Sequence, residues 1–210
     1  MVITWNGVGS VRIQQGDLVL AFGPVSKRSK QKTASFGADV ALVPIRHPDA
    51  DGVDAVSRSG AEPISLRGPG EYEAKGLFVR GFETRSGYGG SALVNTAYSV
   101  SVDECNILYL GAIEGELSAE ATEELPDTDI LFVPIGGEGV LSPSAAAKLA
   151  VQLEPKAVIP IFYGGPGGAE ALKKFLRESG AEKVEPVDRL TVRRRDLEKM
   201  SGQVVVLSEQ

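Results

Sequence analysis

The chain has 210 residues, of which 42% are hydrophobic and 24% are charged, and its formal net charge is -6. A chain of this size and composition can bury a substantial core, so we expect an ordinary soluble, globular protein. Its pI near 5.0 means that it repels a nucleic-acid backbone at long range. We therefore expect no general nucleic-acid partner.

Two features of the sequence predict a cytoplasmic protein without a membrane partner. The first residues, MVITWNGVGSV, lack the basic start and apolar run of an export signal. No segment approaches the roughly 18 apolar residues that a membrane span needs. The single cysteine, Cys105, lies in the apolar stretch ECNILYL, so we expect it to be a buried, reduced thiol.

Short strands separated by turn residues fill the first half of the chain, which predicts a meandering, mostly antiparallel sheet. The predicted strands are residues 2–6, 10–14, 18–22, 40–45, 63–67, 72–75, 77–82 and 92–102. Residues 83–91, ETRSGYGGS, are rich in glycine and predict a mobile hairpin tip or rim loop. They lack the strand-to-helix setting of a phosphate-binding loop.

The second half alternates strands with helices. The predicted strands are residues 106–110, 129–135, 157–161 and 203–208, and the predicted helices are residues 144–153 and 169–179. Ser142 and Pro143 supply a cap and a first-turn proline for the first helix. No linker separates the halves, so we predict a single domain, residues 1–210, in which two sheets pack face to face with helices outside.

One loop carries the candidate chemistry. In LVPIRHPDADGV, an apolar strand leads into the single histidine of the chain, His47, followed by Asp49 and Asp51. This loop is either the remainder of a metal-binding loop or an ordinary turn.

Several segments, taken in order, resemble the metallo-β-lactamase-fold hydrolases, and in particular their ascorbate-6-phosphate lactonase-like branch. They are MVITWNGVGSVRI, LVLAFGP, ADVALVPIRHPDADGV, GPGEYEAKGLFVRGF, NILYLGAIEG and the stretch from DILFVPIGG to IPIFYGG. Together they extend from Met1 to about Gly165. The resemblance implies an α/β fold, an αββα four-layer sandwich of two mixed sheets with outer helices, and a dinuclear zinc site at one edge of the sheets.

The resemblance also assigns positions to the metal ligands of the family. Its zinc-binding histidines and aspartates fall on Val8, Gly23, Ile45, His47, Asp49, Ala50, Tyr109, Ala112 and Phe162. Only His47 and Asp49 keep a ligand side chain. Catalytic zinc takes three protein ligands and a water, and a two-metal site needs about twice as many. We therefore expect a degenerate member without the dinuclear site, a pseudoenzyme that acts as a non-catalytic binding or scaffold protein with no cofactor.

Two alternatives remain for His47 and Asp49. They could hold one divalent ion such as Mg²⁺ with Asp51 and either Glu71 or Glu114, which would give a hydrolase of phosphoesters or lactones. Otherwise Asp49 accepts backbone N–H groups of the following turn, and a carbonyl or carboxylate fixes His47. A metal-free Ser10–His47–Asp49 device is a third arrangement, but GVGS lacks the strand-turn-helix setting of a nucleophile elbow.

Two basic runs could bind a phosphate or an acidic partner, although solvated surface is the ordinary interpretation. The first is SKRSKQK, with Lys27, Arg28, Lys30 and Lys32, and the second is Arg193, Arg194 and Arg195. GPGEY, with Gly68, Pro69 and Gly70, predicts a tight turn; the resemblance places Glu71 and Tyr72 at the pocket edge. The interactions that we expect are self-association and an unidentified small-molecule or protein partner.

Overall fold

The computed structural model describes residues 1–58, 61–163 and 167–210. The strands are β1 (Val2–Trp5), β2 (Val11–Gln15), β3 (Leu18–Phe22), β4 (Val40–Val43), β5 (Ile64–Arg67), β6 (Gly70–Ala74), β7 (Leu77–Ser86), β8 (Leu93–Val102), β9 (Cys105–Tyr109), β10 (Ile130–Pro134), β11 (Ala157–Ile161), β12 (Leu190–Thr191) and β13 (Gln203–Val204). The helices are α1 (Val53–Val56), α2 (Ala119–Glu124), α3 (Pro143–Leu153), α4 (Gly168–Glu178) and α5 (Arg194–Leu197), and a single 3₁₀ turn covers Tyr88–Gly90.

These strands form two mixed sheets. The first has the order β12-β1-β2-β3-β4-β5 and the second the order β13-β11-β10-β9-β8-β7-β6. The strands β3, β4 and β5 run parallel to one another, so the expectation of a mostly antiparallel first half is wrong in this part. The long connections before β4 and β5 permit these crossovers, whereas tight turns would have forced antiparallel pairing.

The main core lies between the two sheets. Alternate residues of the strands face it, for example Ile3 and Ile13 from the first sheet and Val79 and Ile107 from the second. The buried Tyr98 on β8 joins the sheets, because its hydroxyl donates to the carbonyl oxygens of Val43 (3.0 Å) and Leu66 (3.1 Å) at the ends of β4 and β5. The carboxyl end of β4, where His47 follows, is thereby fixed against the second sheet.

Helices cover the outer faces, so the predicted sandwich is confirmed. Ala146, Leu149 and Phe175 of α3 and α4 pack on the second sheet. On the outer face of the first sheet, α1 and the loop with Phe36 pack in a small cluster around Val56. Within the described residues, no helix is long and apolar enough to cross a membrane.

The longer elements were predicted to within a few residues, and several short ones were missed. The helix α3 begins one residue earlier than predicted, with Ser142 Oγ accepting the N–H of Ala145 as its cap. The segments α1, α2, α5 and β12 were not predicted, because two to six residues carry too little periodicity to identify an element.

Three segments differ from the sequence-based expectation. The predicted loop 83–91 is strand up to Ser86, because residues 83–86 pair with β8. The predicted strand 203–208 keeps ladder pairing only at Gln203 and Val204. The predicted strand 40–45 ends at Val43, and the chain then turns into the loop with His47.

Candidate functional site

Most of the positions at which the resembled family carries its metal ligands lie in the core between the sheets. Six of the seven replaced positions belong to one hydrophobic cluster, and each exposes less than a tenth of its surface. They are Val8, Ile45, Ala50, Tyr109, Ala112 and Phe162. The space that polar ligands would line is therefore packed with apolar and aromatic groups.

Tyr109, the last residue of β9, occupies the centre of this packing. Its hydroxyl donates to the carbonyl oxygen of Gly9 at 2.8 Å, and its ring packs against Phe22 (5.2 Å between centroids) and Phe132 (6.2 Å). A Cβ atom on Gly23 would collide with the hydroxyl, so glycine at this ligand position makes room for the tyrosine. Complete burial raises the pKa of Tyr109, and the phenol stays a neutral donor.

Phe162 covers the neighbouring turn. Its ring lies where a side chain on Gly9 would have to be, and its N–H donates to the carbonyl oxygen of Val8 at 2.7 Å. Both Phe162 (φ 57°) and Val8 (φ 49°) adopt the left-handed backbone region. Such a conformation costs about 1–3 kcal/mol per residue and persists only where the surroundings enforce it. The turns at two ligand positions thus combine strained backbone with apolar side chains.

His47 and Asp49 share the turn that follows β4. The N–H groups of Ala50 (2.9 Å) and Asp51 (2.8 Å) donate to the carbonyl oxygen of His47, and the N–H of Asp49 donates to His47 Nδ1 at 3.2 Å. In the neutral imidazole this leaves the proton on Nε2. Asp49 Oδ2 lies 3.8 Å from Nδ1, which is beyond hydrogen-bond distance.

The carboxylate of Asp49 connects this turn to two other loops. The hydroxyl of Ser29 donates to Oδ1, and the hydroxyl of Tyr88 donates to Oδ2 at 2.8 Å. Asp49 is 8% exposed, so both oxygens are satisfied inside the protein. The expectation that Asp49 accepts backbone N–H groups of the following turn is wrong, because the N-cap of α1 is Gly52, without a side-chain cap, and the donors to Asp49 are side-chain hydroxyls from distant segments.

Tyr88 covers the turn that contains His47 and Asp49. Its ring stands edge-on to His47 (5.0 Å, 87°) and to Phe162 (5.3 Å, 78°). Burial, then the hydrogen bond and the negative charge of Asp49, raise the pKa of Tyr88. The preceding residue is held by the bond from Gly87 N–H to the carbonyl oxygen of Gly139, 2.9 Å.

An open cleft of about 1110 Å³ lies beside Tyr88 and is lined by His47 and by the tip of the β7–β8 hairpin. Its charged side chains are Asp49, Glu83, Arg85, Glu114 and Glu138. The cleft thus contains four carboxylates and one guanidinium. In the described part of the chain, the following four of these residues form no ion pair: Glu83, Arg85, Glu114 and Glu138. The cleft favours cationic or neutral polar ligands over anions.

Other residues that the sequence placed near His47 lie elsewhere. Asp51 pairs with Arg67 (2.5 Å) and Glu71 pairs with Arg80 (3.3 Å), and neither lines the cleft. Ser10 is buried in the turn between β1 and β2, and no described hydrogen bond joins it to the histidine. Of the predicted supporting ligands, Glu114 lines the cleft and Asp51 and Glu71 do not. The predicted Ser10–His47–Asp49 hydrogen-bonded triad is not formed.

Sequence reasoning missed the two hydroxyls that bind Asp49. Ser29 belongs to a run interpreted as solvated surface, and Tyr88 to a loop interpreted as mobile. The available signal was a single aromatic residue among the glycines of SGYGG, since an isolated aromatic ring in such a loop usually has an apolar surface to cover.

The family of the chain follows from comparison with known proteins. The family model described as "Beta-lactamase superfamily domain" matches residues 2–162. The chain belongs to the metallo-β-lactamase superfamily. A protein of Methanopyrus kandleri named as a UPF0173 metal-dependent hydrolase is 23% identical over 211 residues, which is 85% of this chain and 91% of that protein.

Solved structures of other proteins share the fold. One is a protein of Thermotoga maritima whose name describes it as a Zn-dependent hydrolase of the metallo-β-lactamase superfamily. It matches with a TM-score of 0.77 at 22% identity, covering 100% of this chain and 99% of that one. A metallo hydrolase from Ignicoccus hospitalis has a TM-score of 0.64 at 19% identity, covering 91% and 99%. The predicted superfamily and fold are confirmed, and the ascorbate-6-phosphate lactonase branch stays a prediction.

The names of these metallo-β-lactamase relatives imply a metal ion, so its fit to this chain can be tested on the residues present. Of the nine ligand positions only His47 and Asp49 carry a ligand side chain, and both oxygens of Asp49 already accept hydroxyl donors. Among the residues that the structure describes, no group of three or more His, Cys, Asp or Glu could hold a metal ion. Because catalytic zinc takes three protein ligands, these residues do not fit a zinc centre.

Proposed function

We propose that this member of the superfamily is a non-catalytic binding or scaffold protein that lacks the dinuclear zinc site, and that the cleft beside Tyr88 is its ligand-binding surface. The observation that carries the proposal is that six of the ligand positions, Tyr109 and Phe162 among them, belong to a single hydrophobic cluster. Cytoplasmic localisation is part of the proposal and is supported by the buried, free Cys105.

The replacements support a repacked site because they are mutually consistent. Loss of one ligand from a buried metal site leaves the others unpaired, which is costly. Here the remaining carboxylate has its own donors, and Gly23 accommodates the Tyr109 hydroxyl. Opening the space for a metal pair would remove two aromatic side chains from the core, at about 3–5 kcal/mol each.

A metal-dependent hydrolase is the competing function, and the names of the relatives favour it. In that case one divalent ion is held by His47, Asp49 and an acidic neighbour such as Glu114, and phosphoesters or lactones are the substrates. The hydroxyls of Ser29 and Tyr88 would first have to leave Asp49. That function therefore requires a rearrangement of the turn and of the hairpin tip.

Elemental analysis with a matched activity assay separates the two functions. The protein is purified without chelator, analysed for transition metals and magnesium, and assayed on aryl phosphoesters and lactones with Zn²⁺, Mn²⁺ or Mg²⁺ added. We expect substoichiometric metal and equal background rates for the natural chain and for His47→Ala. Stoichiometric metal, or turnover that His47→Ala abolishes, would overturn the proposal.

A thermal-shift screen tests the binding role directly. We expect organic cations or neutral polar compounds to raise the melting temperature, and Glu114→Gln to weaken that effect. The matched control is Glu116→Gln, which changes the same charge two residues away but outside the cleft. Equal effects of the two variants would remove the cleft from the proposal. Self-association stays a prediction, and light scattering of the purified chain measures it.

A further inference from the structure

The segment SKRSKQK, residues 26–32, carries four exposed cations between β3 and β4. They are Lys27, Arg28, Lys30 and Lys32. None of them forms an ion pair within the described residues. In the other basic run, by contrast, Arg194 pairs with Glu104 and Glu198, and Arg195 pairs with Asp196. The two runs look alike in sequence, but in the described residues all four cations of the first run lack an ion pair, whereas in the second run Arg193 alone does.

The backbone of this basic segment is held against the protein. The buried Ser26 donates its N–H to the carbonyl oxygen of Pro48 at 2.8 Å, and its own carbonyl oxygen accepts the N–H of Ser29 (2.9 Å) and the hydroxyl of Thr33 (3.1 Å). The N–H of Lys27 donates to the carboxylate of Asp54 at 3.1 Å.

The middle of the segment is fixed by Ser29. Its hydroxyl donates to the buried carboxylate of Asp49 and accepts the N–H of Gln31 at 2.9 Å. The positions from which the four cationic side chains extend are thus set by hydrogen bonds at Ser26, Lys27 and Ser29. Fixed backbone reduces the ordering cost of binding, since part of the loop entropy is already lost in the free protein.

Four like charges within six residues repel one another, although the chain as a whole is acidic, with a net charge of -6. A bound polyanion would relieve that repulsion. Phosphate oxygens match these side chains, because an arginine can bind two of them in parallel and each lysine supplies a compact positive charge. A long nucleic acid matches less well, since the net negative charge of the chain repels the phosphates that extend beyond the segment.

We propose that the basic segment, residues 26–32, is a binding site for a small, soluble ligand that carries several phosphate groups, held by Arg28 and the three lysines. The site is separate from the acidic cleft, although Ser29 connects the two through Asp49. It does not depend on the function proposed for the cleft, because changes of the lysines leave His47, Asp49 and Tyr88 intact.

Titration calorimetry with inorganic tripolyphosphate tests this site on the full chain. The site variant is Lys27→Gln/Lys30→Gln. The matched control is Lys173→Gln/Lys174→Gln, which removes the same charge from two exposed lysines on α4. We expect one tripolyphosphate per chain, at least roughly tenfold weaker binding by the site variant, and a change of less than about twofold in the control. The affinity should fall as sodium chloride is raised.

Three outcomes would overturn the site. The first is no tripolyphosphate binding by the natural chain at low salt. The second is an equal loss of tripolyphosphate affinity in the site variant and in the control, which would show nonspecific electrostatic binding to any pair of lysines. The third is tighter binding of a single-stranded RNA oligonucleotide than of tripolyphosphate, which would make the segment a nucleic-acid surface. Circular dichroism confirms that both double variants are folded.

Discussion

Replacement of Asp49 by alanine distinguishes a structural hydrogen-bonding residue from a metal ligand. The change removes the acceptor of the Ser29 and Tyr88 hydroxyls from a site that is 8% exposed. Hydrogen bonds to a charged group contribute about 1.5–3 kcal/mol each, less where water can replace the partner. We expect the free energy of unfolding to fall by about 2–4 kcal/mol, and the melting temperature by roughly 5–15 °C for a chain of this length.

A double-mutant cycle with Tyr88→Phe isolates one of the two bonds. The single change Tyr88→Phe should cost about 1–2 kcal/mol. The double variant with Asp49→Ala should show a coupling energy of about 1–2 kcal/mol, as is typical of residues in contact. Asp51→Ala is the control, because its more exposed ion pair with Arg67 should contribute no more than about 1 kcal/mol.

The assay is urea unfolding followed by tryptophan fluorescence, in EDTA and again with added Zn²⁺ or Mg²⁺. We expect the loss caused by Asp49→Ala to be the same in all three solutions. A loss that appears only with metal present would refute the structural role and identify Asp49 as a ligand. A coupling energy near zero with Tyr88 would refute the importance of the hydrogen bond.

Two further substitutions and one labelling experiment test the repacked core. Tyr109→Phe leaves a buried carbonyl oxygen without its donor and should lower the free energy of urea unfolding by about 1–3 kcal/mol. Tyr163→Phe should lower it less, because the partly buried hydroxyl of Tyr163 makes only a 3.3 Å hydrogen bond. Phe162→Ala should cost about 3–5 kcal/mol, whereas Phe78→Ala, 56% exposed, should cost under about 1 kcal/mol; equal losses would contradict the packing described. Burial, followed by the charges of nearby aspartates, raises the pKa of Cys105. The native thiol should therefore resist a disulfide reagent that labels it fully in denaturant. Rapid labelling of the native protein would contradict its burial.

Alkaline unfolding follows from the buried tyrosines as a group. Desolvation raises the pKa of Tyr163 to about 12. Burial also raises the pKa values of Tyr98 and Tyr109. A raised pKa favours the neutral phenol in the folded state, so this contribution to stability is complete below the unfolded pKa near 10. It is lost as the pH rises from there toward the folded values. We expect the urea midpoint to fall above about pH 10, and a flat midpoint to about pH 12 would contradict the burial of these hydroxyls.

The sequence by itself determined the fold and the loss of the usual ligands. Strand periodicity located the longer strands, and the capping residues Ser142 and Pro143 located α3, because these signals depend on residues close in the chain. The number of possible metal ligands can also be counted without coordinates. A chain whose only histidine is His47 cannot supply histidine-rich coordination.

Only the tertiary structure decided what Asp49 does and how charge is distributed around it. Its hydroxyl partners lie 20 and 39 residues away along the chain, a separation across which local sequence patterns carry no information. The pairing of Asp51 with Arg67, and the absence of such pairs for Lys27 and Lys30 in the described residues, likewise depend on which loops the two sheets bring together. Hydrogen bonds and ion pairs act over a few ångströms in space, so the fold has to be known before these partners can be.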